Sequence, residues 1–300
     1  MQSASLVQPL HNVAGPPTNA QIPLEDEPHI VKPIVRTRPA SELPRTAGKV
    51  SVHAIVGLPL FEAGDDIASE VAAALRLSET GLCAGDVVVL AQKVVSKVEG
   101  RRVLLAEIQP GDAALALADQ CRRDPAVAEL IIRESQDIMR ATTGVIVTRH
   151  RTGHVLANAG IDMSNVSHNM GEAALLWPTD PDQSARRLRV SLEEMSGVPL
   201  AVIISDSLGR AWRMGTMGTA IGVSGMKPLR DRCGEPDLYG RKLQATITGI
   251  ADEIAAAASL VIGEAAEGTP AAIVRGVVYE PDDDSDSRQI LRPLDKDLFR

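Results

Sequence analysis

The stretch PLAVIISDSLGRAWR, residues 199–213, begins as a buried strand and ends in a run of reactive side chains. Pro199 to Ser205 is apolar over a strand's length. Asp206 and Ser207 then stand side by side at the expected strand end, followed at once by Gly209, Arg210 and Arg213. A second apolar run, Asp86 to Ala91, reads as a central strand and leads directly into Gln92, Lys93, Ser96 and Lys97. Strand ends and loops are where binding and catalytic groups concentrate, so both are candidate sites.

The surrounding elements mix. Val50 to Val56 alternates like a strand, and Asp65-Asp66 caps a helix reaching about Leu77. Residues 112–138 read as helix broken at Asp124-Pro125, a pair suited to a helix start. Residues 145–148 and 154–157 form a plausible hairpin through Arg151 to Gly153. Ser184 to Met195 reads as a basic helix ending at Gly197, and a long alanine-rich helix lies within 237–262. Residues 271–279 suggest a further strand, and 281–287 an acidic, solvated spacer. Without a clean βαβ rhythm, the expected class is α+β or mixed α/β, not a doubly wound sheet. Residues 1–49 are proline-rich and aperiodic, which predicts a disordered tail before one domain at 50–300.

The net charge of −8 argues against a nucleic-acid partner. Aromatic residues are only 2% of the chain, leaving few rings to stack on bases. Cys83, Cys121 and Cys233 are far apart with no Cys-x-x-Cys spacing, which suggests a reducing cytoplasm and no zinc site or disulfide frame. No apolar run approaches the roughly 18 residues of a membrane span. Yet residues 206–245 hold seven basic and four acidic side chains, a local excess suited to an anionic substrate.

Each polar cluster has a plain and a chemical reading. Lys93, Ser96 and Lys97 suit phosphate oxygens, or form a solvated strand end. Asn158, Gly160, Asp162, Ser164 and Asn165 combine small residues with hard oxygen donors for magnesium or manganese, or make an Asx turn and cap. Asp206 with Ser207 suits nucleotide-bound magnesium, or a helix cap. Gly263 to Pro270 has the glycine spacing of a phosphate loop but lacks its lysine and follows a helix, so that motif is rejected. No nucleophile elbow around Ser207 and no His-Glu-x-x-His pair is present.

Taken together, these strings resemble the coenzyme F420-0:L-glutamate ligase family. The matching stretches are Gly57 to Leu60, Ala91 to Lys97 with Glu99-Gly-Arg101, and Asn158 to Asp162 with Ser164-Asn165. Ile204 to Ser207 with Gly209-Arg210, Ala220 to Gly222, Asp237 to Gly240, Ala251 to Ala255 and Val274 to Gly276 complete an ordered set. The resemblance implies a GTP-dependent amide ligase of that family's mixed α/β fold. It would phosphorylate the terminal carboxylate of the deazaflavin precursor F420-0 and join L-glutamate to it, with further γ-linked glutamates possible. It also implies two Mg2+ or Mn2+ sites, K+ and a homodimer.

By motif match, Asp162 and Asp206 would hold one metal and Ser207 the second, with Glu264 a further candidate ligand. Leu58, Pro59, Leu60, Phe61, Gln92, Lys93, Lys97 and Asn165 would contact GTP. The loop Gly263, Glu264, Ala265, Ala266, Glu267, Gly268, Thr269 and Pro270 would close over it. Asp162, Asp206 and Lys97 are the expected catalytic groups. Arg210 and Arg213 are assigned from local charge to a substrate phosphate or carboxylate. Two other readings stay open: an amide ligase of the same fold with another acceptor, and a non-catalytic nucleotide-binding protein.

Overall fold

The computed structural model describes residues 48–78, 80–164 and 171–297. Most of the expected tail, and Asn165, lie outside the described residues. Strand β1 (Ser51–Ala54) leads to helix α1 (Ile67–Leu77), where the Asp66 side chain caps the Ser69 N–H as its sequence position suggests. Such a cap is worth about 1 kcal/mol. Then follow β2 (Val87–Ala91), α2 (Gln92–Val98), β3 (Arg102–Leu104), α3 (Asp112–Cys121) and α4 (Pro125–Arg133). Strands β4 (Ser135–Thr142), β5 (Val145–His150), β6 (Val155–Ala157) and β7 (Ala173–Leu175) precede helix α5 (Pro181–Ser196). The chain continues through β8 (Ala201–Arg210), β9 (Arg213–Ser224), β10 (Arg230–Asp231), β11 (Ile247–Thr248), α6 (Ile250–Ile262) and β12 (Ala271–Arg275).

The main sheet runs β1-β12-β2-β8-β9. Only β2 and β8 pair in parallel; the other neighbours are antiparallel. The architecture is therefore mixed α and β and not doubly wound. Strand alternation divides the core in two. Val88, Leu90, Val202, Ile204 and Ile273 face α1, α2 and α5, whereas Val87, Val89, Ile203, Ala272 and Val274 face α6. A smaller core gathers Leu130, Ile131, Ile146, Ala159 and Leu176 beside the β4-β5-β6 sheet.

Several boundaries differ from expectation. Residues 135–138, expected to continue the helix, are strand, because β4 pairs with β5 as soon as α4 ends. Strand β12 stops at Arg275 instead of Tyr279. The acidic spacer is anchored: buried Ser287 donates its hydroxyl to Asp182 and to the Ile221 carbonyl. The glycine-rich segment after Arg213 forms β9. A Cβ on Gly218 would sit 2.4 Å from the Ala255 carbonyl oxygen, and one on Gly222 would sit 2.4 Å from that of Pro181. These glycines let α6 and α5 approach the strand closely.

Glu134 joins the smaller core to the main sheet's connections. Its Oε2 accepts from Arg101 at 3.0 Å and Arg151 at 2.7 Å, with His150 Nε2 3.6 Å away. Burial alone would raise its pKa, but His150, Arg101 and Arg151 outweigh it and pull the carboxyl from 4.5 to about 2. At 3.6 Å the histidine is beyond ordinary hydrogen-bond length, so we assign the larger share to the guanidiniums. A depressed carboxylate stabilises the fold above its unfolded pKa, and that contribution disappears as pH falls from about 4.5 towards 2. Glu134→Gln is expected to cost about 1.5–3 kcal/mol at neutral pH, since it removes the charged acceptor that the partly exposed Arg101 and Arg151 guanidiniums share. Urea titrations across that pH range would show the difference from wild type shrinking with acid; a constant difference would refute the ionic role.

Candidate active site

Strand β2 stops at Ala91, opposite Ser205 of β8, and turns directly into α2. Strand β8 does not stop there. It continues to Arg210 with only β9 beside it, so Asp206 is the first residue past the shared ladder. The expected strand tip with an acidic helix cap is thus corrected: Asp206 and Ser207 lie inside the strand, and no helix follows. Consecutive strand residues point to opposite faces. Asp206 shares the face of Ile204 and Leu208, where its Oδ2 accepts the Trp177 indole N–H at 2.8 Å. Ser207 serves the α6 side, donating its hydroxyl to Glu264 Oε1 at 2.5 Å. The two side chains that looked adjacent in sequence are separated by the sheet.

Asp162 reaches the Asp206 side by an unusual turn. Asn158, Ala159 and Gly160 all have positive φ, near 53°, 52° and 67°. Left-handed backbone costs a non-glycine residue roughly 1–2 kcal/mol. The Asn158 side chain helps hold the turn by accepting from the Ile146 N–H, and Ala159 is fully buried. Asp162 then forms a backbone bridge with Leu175. Its Oδ1 accepts from the Ser164 N–H at 2.6 Å, the predicted Asx turn, while Oδ2 pairs with Lys93 Nζ at 2.6 Å. The Asx turn leaves the second carboxylate oxygen of Asp162 to the lysine.

Charge at the site is finely opposed. Burial raises the Asp206 pKa, and the neighbouring Asp162 charge adds to the rise; the Trp177 and Ser207 hydrogen bonds and Lys93 restrain it. Burial also acts on Asp162, but its bonds to Lys93 and Ser164 prevail and leave it below the usual carboxylate value. Half-buried Lys97, one turn beyond Lys93, is pushed down by burial and by Lys93's charge against the pull of Asp162. Two carboxylates and two ammonium groups therefore form one partly buried charge cluster. Their oxygens are hard donors of the type magnesium and manganese take. Among the described residues, no three His, Cys, Asp or Glu side chains converge in a ready-made cage. Magnesium is commonly held by one or two carboxylates together with phosphate oxygens, so the donor set fits that mode.

The other expected residues fall into distinct places. Pro270 brings the 263–270 loop to the site by accepting the Ala91 N–H. Thr269 caps the α6 carbonyls of Val261 and Ile262, and Glu267 holds the Ala265 N–H. Ala266 and Gly268 lie between these anchors. Phe61 is buried in the main core and Leu58 packs against it, whereas Leu60 is 93% exposed; only Pro59 and Leu60 present themselves outward. Gln92 is buried, donating to Ser96 Oγ. Arg210 and Arg213 face each other at the β8–β9 hairpin, about 13 Å along the strand from Asp206. The two candidate substrate-anion groups therefore stand apart from the Asp162–Asp206 pair. Cavities lined by Asp66, Glu99 and Arg187, and by Arg189, Tyr279 and Asp283, involve none of the expected site residues.

The sequence model of a family described as F420-0:Gamma-glutamyl ligase matches residues 56–276, which span the turn at Asp162, the β8 strand and the 263–270 loop. The chain belongs to this family. A coenzyme F420:L-glutamate ligase of Methanothermobacter thermautotrophicus is 46% identical over 252 residues, 84% of this chain and 99% of the relative. Similarly named proteins of Methanopyrus kandleri and Methanocaldococcus jannaschii are 45% and 39% identical, covering 79% and 81% of this chain and 92% and 94% of the relatives. Among the described residues no helix is long and apolar enough to cross a membrane.

Trp177 was not singled out from sequence. Its one local signal was a tryptophan directly after an apolar run in a chain with only two. Both Asp206 oxygens accept an N–H, so Asp206→Asn turns an amide NH2 towards the Trp177 or the Ser207 donor. The thermal midpoint of chelator-treated protein is expected to fall near neutral pH. Calorimetry checks this, and a higher midpoint would show that relief of the buried like charges outweighs the lost acceptor.

Proposed function

We propose that this chain is a GTP-dependent ligase that joins L-glutamate to the terminal carboxylate of F420-0. One observation carries the reading: in a member of this family, Asp206 passes beyond the end of β2 to join a partly buried charge cluster of Asp162, Lys93 and Lys97. The names of the relatives supply the acceptor and the amino acid.

The proposed reaction has two steps. A carboxylate oxygen of F420-0 attacks the γ-phosphorus of GTP, the bond to the bridging oxygen breaks, and GDP leaves. The product is an acyl phosphate. The amine of L-glutamate then attacks the acyl carbon, loses a proton and expels inorganic phosphate, leaving an amide. Repetition on the new γ-carboxylate would extend a γ-linked chain. Phosphoryl transfer depends mainly on positioning and on neutralising charge. Lys93 and Lys97 are suited to phosphate oxygens, and both are partly buried.

Asp162 and Asp206 would hold one divalent cation; Ser207 and Glu264, on the other side of β8, would hold a second. Magnesium or manganese bound there would neutralise charge on the transferring phosphoryl group. The hydroxyl–carboxylate contact between Ser207 and Glu264 also ties the 263–270 loop to the strand, in keeping with a loop that covers the nucleotide. Potassium and a homodimer belong to the same proposal, as does a cytoplasmic location.

Incubation with F420-0, GTP, L-glutamate and Mn2+ should yield a product heavier by one glutamyl residue, with equal GDP and phosphate. Oxygen label in the acceptor carboxylate should appear in the phosphate released. Lys97→Ala should lower turnover by about a hundredfold or more. Release of GDP without a glutamylated product, tested by mass spectrometry with other carboxylate acceptors, would redirect the assignment to a different acceptor.

A further inference from the structure

We propose that Trp177 is a positioning residue, whose indole sets Asp206 and the Asp162 turn in register with each other. The inference rests on the ligase reading and extends it to a side chain outside the expected site.

Trp177 is completely buried, and its indole N–H is its only side-chain polar group. That donor is committed to Asp206 Oδ2 at 2.8 Å. The Ser207 N–H occupies Oδ1 at 2.8 Å, so both carboxylate oxygens are oriented while each keeps a lone pair free. The same ring touches the other acid's support. A Cβ on Gly160 would fall 2.3 Å from the indole nitrogen, so the ring lies flush against the left-handed turn that delivers Asp162 two residues later. One rigid side chain therefore meets β8 by a hydrogen bond and the Asp162 turn by van der Waals contact.

The ring itself cannot swing. His150 lies tilted against it at 4.8 Å between centroids, and His154 meets it edge-on at 5.5 Å. Both imidazoles bond Thr152 Oγ1 at 2.9 Å, which joins them through one hydroxyl. The Trp177 carbonyl accepts from Arg101 Nε at 2.8 Å, fixing the backbone as well. A buried indole that needed only a partner for its N–H could use a carbonyl. Donation to a carboxylate placed past the end of a ladder, by a ring that also supports the second carboxylate, is the signature of positioning.

Trp177→Phe keeps the ring and removes the N–H. The folded variant is expected to bind Mn2+, followed by electron paramagnetic resonance without nucleotide or acceptor, about tenfold more weakly. Its kcat should fall by about a hundredfold, the scale of a small misplacement of reacting groups, with KM for L-glutamate nearly unchanged. Wild-type Mn2+ affinity and kcat in this variant would reduce Trp177 to a packing group. Should the variant not fold, Trp212→Phe leaves Trp177 as the chain's only tryptophan. Saturating Mn2+ should then quench its emission strongly, and an unchanged emission would overturn the proposal. A wild-type protein that neither binds Mn2+ nor consumes GTP and glutamate would overturn the ligase reading and this inference with it. Normal wild-type turnover matched by Trp177→Phe would remove the Trp177 role alone.

Discussion

The parallel ladder between β2 and β8 ends at Ala91 and Ser205, and the site depends on that end. Up to it, both strands are buried and apolar. Beyond it, β2 turns into α2 and β8 loses a neighbour on one side, so a carboxylate can stand there without interrupting a ladder. The same event places Lys93 and Lys97 one helical turn apart beside it, because α2 starts as β2 finishes. The carboxyl ends of parallel strands are the common ligand position in open α/β sheets, and the charge cluster lies at the end of the one parallel pair of the main sheet.

The cluster is held against local preference. Asp206 is partly desolvated beside another acid, and three successive left-handed residues turn the chain towards Asp162. Strain and buried charge of this kind persist only where surrounding structure over-determines them. Here the surroundings are the Trp177 ring, its two histidines, and the Arg101–Glu134–Arg151 cluster behind them. A stable shell supports a locally unfavourable site.

Composition reports charge and small residues without their placement. The basic excess over residues 206–245 suggests an anionic partner, with Arg210 and Arg213 as its contacts. In the fold these arginines pair at the far end of the β8–β9 hairpin, and Gly218 and Gly222 sit where two helices approach a strand. A missing Cβ there serves close packing.

The sequence alone determined the mixed fold class, the cap at Asp66, the two central strands, the family, and the chemical types gathered at the site. Those follow from apolar period, capping chemistry and ordered strings, which are local. It did not determine that Asp206 lies inside a strand, that Ser207 serves the opposite face, or that Trp177 joins Asp206 to the Asp162 turn. Those depend on how far β9 extends β8 and on which ring fills the space above Gly160. Strand length beyond an apolar run is decided by the partner across the ladder, and that partner is supplied only by tertiary structure.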